Sequence, residues 1–247
     1  MERLAMQAVT LCLYRFGALR ARLWAFAQMG LARGALGRVR DIGTFKLCGS
    51  GTGEGFTPIP DTAVCGILAT WPDHDAARRA LFGARVFRRY REMADERLTI
   101  HLTPTRARGR WGGIEPFAPQ PGAETGGPVA ALTRATVRPA AAARFWRHEP
   151  AISAAIGADE NVIFKIGIGE LPLIRQVTFS IWPDAASMAR FAREGGPHAR
   201  AIKAARDGRW FGEELYARFR VDAIEGAWNG RTPRLPTPRA SMKAAAE

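Results

Sequence analysis

The chain has 247 residues, 47% of them hydrophobic and 24% charged, which is enough to bury a substantial core and excludes a disordered chain. Its 36 basic residues, 32 of them Arg, outnumber 23 acidic ones and leave a formal charge of +13, so attraction to nucleic acid, anionic lipid or an acidic protein is expected. Cys12, Cys48 and Cys65 form no C-x-x-C pair, which argues against a zinc site or a disulfide framework and for a reducing compartment.

Val9 to Phe16 reads as a strand, followed by a helix carrying Leu23-Trp24. Arg15, Arg20 and Arg22 interrupt the apolar N-terminal stretch, so neither a membrane span nor a signal peptide is expected there. Phe45-Lys46-Leu47-Cys48 then leads through a Gly-rich loop into the strand-like Val64 to Ala69, closing on Trp71-Pro72-Asp73. An Ala-rich helical segment, a glycine at 83, a second helical segment and a strand from Leu98 to Leu102 complete a first half.

The same order returns. Ala131 to Val137 reads as a strand before a helix with Phe145-Trp146, and Phe164-Lys165-Ile166-Gly167 precedes Val177 to Ile181 and Trp182-Pro183-Asp184. A glycine at 195 and a strand from Leu215 to Val221 close the second half. Each half is strand, helix, strand, strand, helix, strand, with the Asp after Trp-Pro placed to cap a helix. This is the split βαβ, ferredoxin-like pattern, whose sheet has helices on one face only. Two tandem copies can cover each other, so the fold expected is α+β: duplicated ferredoxin-like halves forming a single-chain dimeric α/β barrel-type fold. The expected boundaries are residues 1–105, a Gly/Pro-rich linker at 106–127, a second half at 128–228 and a flexible tail at 229–247.

What the halves share is read as structural, and what one half alone carries as a candidate for function. Gly49-Ser50-Gly51-Thr52-Gly53-Glu54-Gly55 resembles a phosphate loop but lacks the Gly-Lys-Ser/Thr ending and precedes Pro58 and Pro60, so it reads as a hairpin turn. His198, in Gly195-Gly196-Pro197-His198, stands where the first half has Val86. Pro197 suits the first position of a helix, which puts His198 in its first turn, where the dipole favours the neutral, metal-binding imidazole. Ala201, Ile202 and Ala205 follow on the same stripe and leave room for a flat macrocycle. An axial histidine on a helix is a common way of holding haem iron. His74, after a capping Asp, is read as exposed, His101 as a satisfied core histidine and His148 as capping a helix end.

The runs Phe45 to Pro58, Leu68 to Asp73, Phe164 to Gly167, Gln176 to Asp184, Gly195 to His198 and Trp210 to Phe219 resemble the spheroidene monooxygenase family, the acyclic carotenoid 2-ketolases, over nearly everything from residue 7 to 228. The resemblance implies an enzyme that introduces oxygen at C-2 of spheroidene or a related acyclic carotenoid, first as hydroxyl and then as ketone. It implies O2 and a reduced [2Fe-2S] ferredoxin as co-substrates, and haem b as cofactor. By analogy with haem enzymes of dimeric α/β barrel type, His198 is the expected proximal ligand on the helix-covered side of the second half. The strand beneath would contribute either Gln176, Thr178 and Ser180 or their alternates Val177 and Phe179, with Phe179 taken as a cofactor contact. The cofactor would carry the oxidation while the protein supplies a ligand, a dry pocket and orientation.

The substrate is a membrane-dissolved rod, so a cytoplasmic protein held peripherally at an anionic inner or photosynthetic membrane is expected. Leu23, Trp24, Phe26 and Met29, set among Arg20, Arg22 and Arg33, suit such an interface. The rival readings are a haem-dependent peroxidase or dehydratase of the same barrel type and a nucleic-acid-binding module. The even spread of Arg and the lack of a recognisable nucleic-acid motif disfavour the last, so no nucleic-acid partner is expected.

Overall fold

The computed structural model describes residues 6–53, 55, 57–120, 122, 126–147, 161–171, 174–193, 208 and 210–236. Eight strands are formed: β1 (Ala8–Arg15), β2 (Phe45–Gly51), β3 (Pro60–Trp71), β4 (Glu96–Gly109), β5 (Val129–Val137), β6 (Phe164–Leu171), β7 (Arg175–Trp182) and β8 (Phe211–Gly226). They close into one antiparallel barrel in the order β1-β3-β2-β6-β7-β5-β8-β4. Within that order β4-β1-β3-β2 and β8-β5-β7-β6 are two ferredoxin-like sheets. The helices described are α1 (Leu19–Leu36), α2 (His74–Gly83), α3 (Arg85–Met93) and α4 (Ala185–Arg193).

The sheets meet about a pseudo-dyad that can be read from the register. On the β4–β8 seam Leu98 pairs with Gly226 and Leu215 with Gly109; Ile100 pairs with Ile224 and Ala217 with Ala107; Thr103 and Arg220 pair at the centre. Alternation sends one face of every strand into a closed interior, where Leu11, Ile100, Leu132, Ile166, Phe179 and Phe219 are almost fully buried. The barrel is therefore a packed core, not a channel. Asp73 caps α2 by accepting from the Ala76 N–H at 2.7 Å, and Asp184 accepts from the Ser187 N–H at 2.7 Å.

Three expectations change. Residues 106–127 are not simply a linker: β4 runs on to Gly109, and Trp111 and Phe117 are buried in the barrel interior. The tail does not start at 229, because Trp228 and Arg231 form a bridged turn and Leu235 packs on the core. Finally, Phe45-Lys46 and Phe164-Lys165 are not structural equivalents. Phe45 pairs with Ala69, two residues before Trp71, whereas Phe164 pairs with Ile181, one residue before Trp182. That one-residue slip turns Phe164 into the interior, leaving Phe45 under the helices.

Candidate functional site

The pseudo-dyad lets each position on the helix-covered face of the first sheet be matched with one in the second. In the first half this face is closed. Cys12, Tyr14, Leu47, Cys65 and Ile67 are buried under α1, α2 and α3, with Phe87 and Tyr90 inserted between sheet and helices. Tyr14 and Trp24 both pack against Tyr90, at ring-centroid distances of 5.1 and 5.0 Å.

By strand pairing, the matching positions in the second half are Thr133, Ala135, Gly167, Gln176 and Thr178. Every one is smaller or more polar than its counterpart; Gln176, which replaces a thiol with an amide, is the larger but more polar of its pair. Thr133 is exposed, and Gln176 and Thr178 are only half-buried. Among the described residues, large apolar groups on this side lie at the margins: Trp210 and Ala141 with Phe145 and Phe211 on one flank, and Trp182 against Phe191 on the other. Among the described residues the centre of the face is a shallow polar floor without the aromatic filling of the first half, and Arg218 pairs with Ala131 at its edge.

The sequence-predicted residues divide as follows. Gln176, Thr178 and Ser180 face this floor; Ser180 is buried and accepts from the Trp182 indole at 2.9 Å. Phe179 does not. It lies in the barrel interior, 6.5 Å from the Phe164 ring, on the opposite side of β7, because alternation sends its neighbours outward. Phe179 is therefore withdrawn as a cofactor contact. His198, Ala201, Ile202 and Ala205 lie outside the described residues, as does His148. Val86, the first-half counterpart of His198, is partly buried against the layer between sheet and helices.

The cysteines cannot offer a thiolate at this face. Cys12 and Cys65 lie beneath the first-half helices and Cys48 in the barrel interior. Burial pushes the Cys12 thiol up to about 11 and Cys65 to about 12, and raises Cys48 further still. Among the described residues, no group of three His, Cys, Asp or Glu side chains gathers to hold a metal ion.

Both ends of the barrel carry a device that was not foreseen. Trp111, within Trp111-Gly112-Gly113, is 0% exposed and donates its indole N–H to Glu170 at 2.7 Å. Gly112 and Gly113 donate to Glu213, each at 2.8 Å, and the buried Arg134 pairs with the same carboxylate. Burial works to raise Glu213, but those N–H groups and Arg134 outweigh it and hold the carboxyl below its ordinary value. At the far end Trp228-Asn229-Gly230 repeats the arrangement: Arg15 lies 4.6 Å from the centroid of the Trp228 ring and pairs with Glu96, to which Gly230 donates. The signal was legible, since Trp111 and Trp228 stand equally far beyond Glu96 and Glu213.

Fold and site together define a duplicated ferredoxin-like barrel fused into one chain, packed solid beneath the helices of one half and presenting, among the described residues, a polar floor in the other. No family model matches the chain. It is 51% identical over 229 residues to the spheroidene monooxygenase of Cereibacter sphaeroides, covering 92% of this chain and 71% of that one. Identity to the Rhodobacter capsulatus spheroidene monooxygenase is 49% over 230 residues, covering 92% and 95%. The Rubrivivax gelatinosus protein of the same name is 35% identical over 213 residues, covering 85% and 81%. The chain belongs to the spheroidene monooxygenase family, and is thereby a monooxygenase and an oxidoreductase. An aldoxime dehydratase structure shares its fold, with a TM-score of 0.61 at 12% identity over 90% of this chain and 83% of the other.

Proposed function

We propose that the chain is a carotenoid monooxygenase that oxidises C-2 of spheroidene or a related acyclic carotenoid, using O2, reduced [2Fe-2S] ferredoxin and haem b. The observation that carries this reading is the exchange of a closed aromatic layer for the floor of Thr133, Gly167, Gln176 and Thr178. Small and polar side chains there fit a flat group that must approach the sheet closely, which a Tyr14 or Ile67 would block. Haem bound on this face would supply O2 activation. His198 would hold the iron of such a group, and Arg218 would offer a cation to one of its carboxylates. The remaining chain does what a cofactor cannot: Trp182, Trp210 and Phe145 exclude water from the margins, and the rigid sheet fixes orientation.

The carotenoid would arrive from a bilayer. Among the described residues no helix is long and apolar enough to cross a membrane. Leu19, Leu23 and Phe26, 72%, 63% and 73% exposed, form an outward apolar stripe on α1, which supports peripheral contact.

The test is a visible spectrum of the protein expressed with a spheroidene-producing pathway. A Soret band that His198→Ala abolishes while the far-UV circular dichroism is kept, together with a product heavier by the expected oxygen, is the expected result. A colourless protein that still forms the ketone overturns the cofactor assignment.

A further inference from the structure

The two barrel ends are related by the pseudo-dyad, yet only one is closed. At the Trp111 end Lys46 stands 3.9 Å from Glu170 and over the Trp111 ring at 5.4 Å, filling the mouth. Strand pairing makes Ile166 the counterpart of Lys46 and Ser50 that of Glu170. At the Trp228 end, accordingly, the plugging ion pair is replaced by a cavity of about 760 Å³.

Among the described residues that line it, the cations Arg15, Arg231 and Arg234 outnumber one carboxylate, that of Asp61. Arg15 is already held by Glu96 and Asn229, and Asp61 accepts from the Ala63 N–H at 2.8 Å, within its own turn. Arg231 and Arg234 have no carboxylate within ion-pair distance among the described residues. Cations gathered in a concave, partly walled site attract an anion more strongly than the same charges spread over a surface.

A second cavity of about 250 Å³ shares the wall formed by Ser50, Gly51, Asp61 and Val64, and it is mainly apolar, with Glu170 and Gln176 also in its lining. Phe26 and Met29 of α1, Pro58 and Pro60 of the hairpin, and Ile168 and Leu171 of β6 enclose it. It opens beside the exposed stripe of Leu19, Leu23 and Phe26, which Ile59, 64% exposed, and Leu171, 45% exposed, extend.

We infer that these adjoining chambers are a binding site for an anionic phospholipid, with the phosphate headgroup in the Arg231/Arg234 cavity and an acyl chain in the apolar chamber under Phe26. The occupant follows from the pairing of chemistries: a free anion has no use for the apolar chamber, and a neutral hydrocarbon none for the cationic one. This inference rests on the membrane contact proposed above and deepens it, turning a diffuse attraction into a located site at the β2–β6 seam, whose apolar chamber reaches Gln176 at the near side of the floor.

The test is cosedimentation of the full chain with phosphatidylcholine vesicles and with vesicles containing one third phosphatidylglycerol, at fixed salt. The paired variants are R231A/R234A, L23S/F26S and, as a charge-matched control on α3, R88A/R89A. Two interfacial cations predict a loss on the order of tenfold in affinity for the anionic vesicles in R231A/R234A, with less than a twofold loss in the control. L23S/F26S should lose binding to both vesicle types. Melting curves matching the wild type show that each variant is folded. If R231A/R234A and R88A/R89A weaken binding equally, the attraction is diffuse and the site is overturned while membrane contact stands. If the wild type binds neither vesicle, both fall. Protection of Trp228 fluorescence from a soluble quencher by short-chain phosphatidylglycerol, but not by phosphatidylcholine, places the lipid in the cavity; no protection by either overturns it.

Discussion

Gly55 shows what a single residue contributes to closing this barrel. Its φ of +92° is left-handed backbone, and a Cβ there would stand 1.8 Å from the carbonyl oxygen of Gly167 on β6. Ser50, a few residues earlier, donates its hydroxyl to the same carbonyl at 2.7 Å. The Gly-rich hairpin thus lies flat on the second half, its glycines selected by close approach and not by phosphate. Gly55→Ala adds backbone strain to a clash with main-chain atoms that cannot swing away, and a cost of roughly 3 kcal/mol or more is expected. Gly30, exposed on α1 with nothing within 4 Å of a built Cβ, makes the comparison. Gly30→Ala should stabilise by up to about 1 kcal/mol through helix propensity alone. Chemical denaturation of the two variants checks both signs, and an unchanged midpoint for Gly55→Ala would show that the hairpin is not seated on Gly167 in solution.

At the scale of elements, the β4–β8 seam holds a polar cluster that only one half carries. A bulge between His101 and Leu102 leaves Asp222 outside the regular pairing. Its carboxylate receives Thr103 at 2.8 Å, His74 Nε2 lies 3.2 Å away, and Arg220 donates to it at 2.6 Å. His101 sits beside it, 3% exposed, with Nε2 3.3 Å from Glu225 Oε1 and the His74 ring 6.4 Å away between centroids. Burial lowers the His101 pKa, with His74 and Arg78 adding to it and Glu225 and Asp222 opposing. The unfolded chain, titrating near pH 6.5, then takes up this proton first. Stability is fully present above that pH and declines as pH falls from about 6.5 towards the lowered folded value. Asp222 behaves differently: burial raises it, the His74, Thr103 and Arg220 hydrogen bonds lower it more, and its contribution is lost only in the acid range below the ordinary carboxylate value. Melting temperature should therefore slope downward below neutrality in the wild type and flatten in His101→Gln; an equal slope in both would place the titrating group elsewhere. Element order and the Trp-Pro-Asp caps were legible because propensity and capping are local. The β2 and β6 registers were not: the Phe-Lys likeness suggested equivalence, but pairing partners decide which way a strand faces, and these are non-local. The floor at Thr133 and Thr178 was half-legible for the same reason, since alternation offered two faces of β7 and only the sheet's placement chose between them.

For the whole molecule, duplication was readable from the sequence, but the manner in which the halves unite was not. The interior draws side chains from all eight strands and from Trp111, Phe117 and Trp228, so neither half owns a complete core. A chain of this construction should unfold in one cooperative transition, with far-UV circular dichroism and tryptophan fluorescence coincident. Two separated transitions would mean that the halves are independent domains. The two seams are unequal, however. Eleven residue pairs register β4 with β8, but only Gly49 with Gly169 and Ser50 with Ile168 register β2 with β6. A seam with few hydrogen bonds and glycines on both sides opens locally at lower free energy than a long one. Backbone amides of β2 and β6 near Ser50 and Ile168 should therefore exchange with deuterium well before those of β4 and β8 around Ile100 and Phe219. This seam also forms the wall shared by the cationic and apolar chambers. Slower exchange there on addition of anionic vesicles would join the mechanical weak point of the barrel to lipid capture; uniform exchange along both seams would separate them.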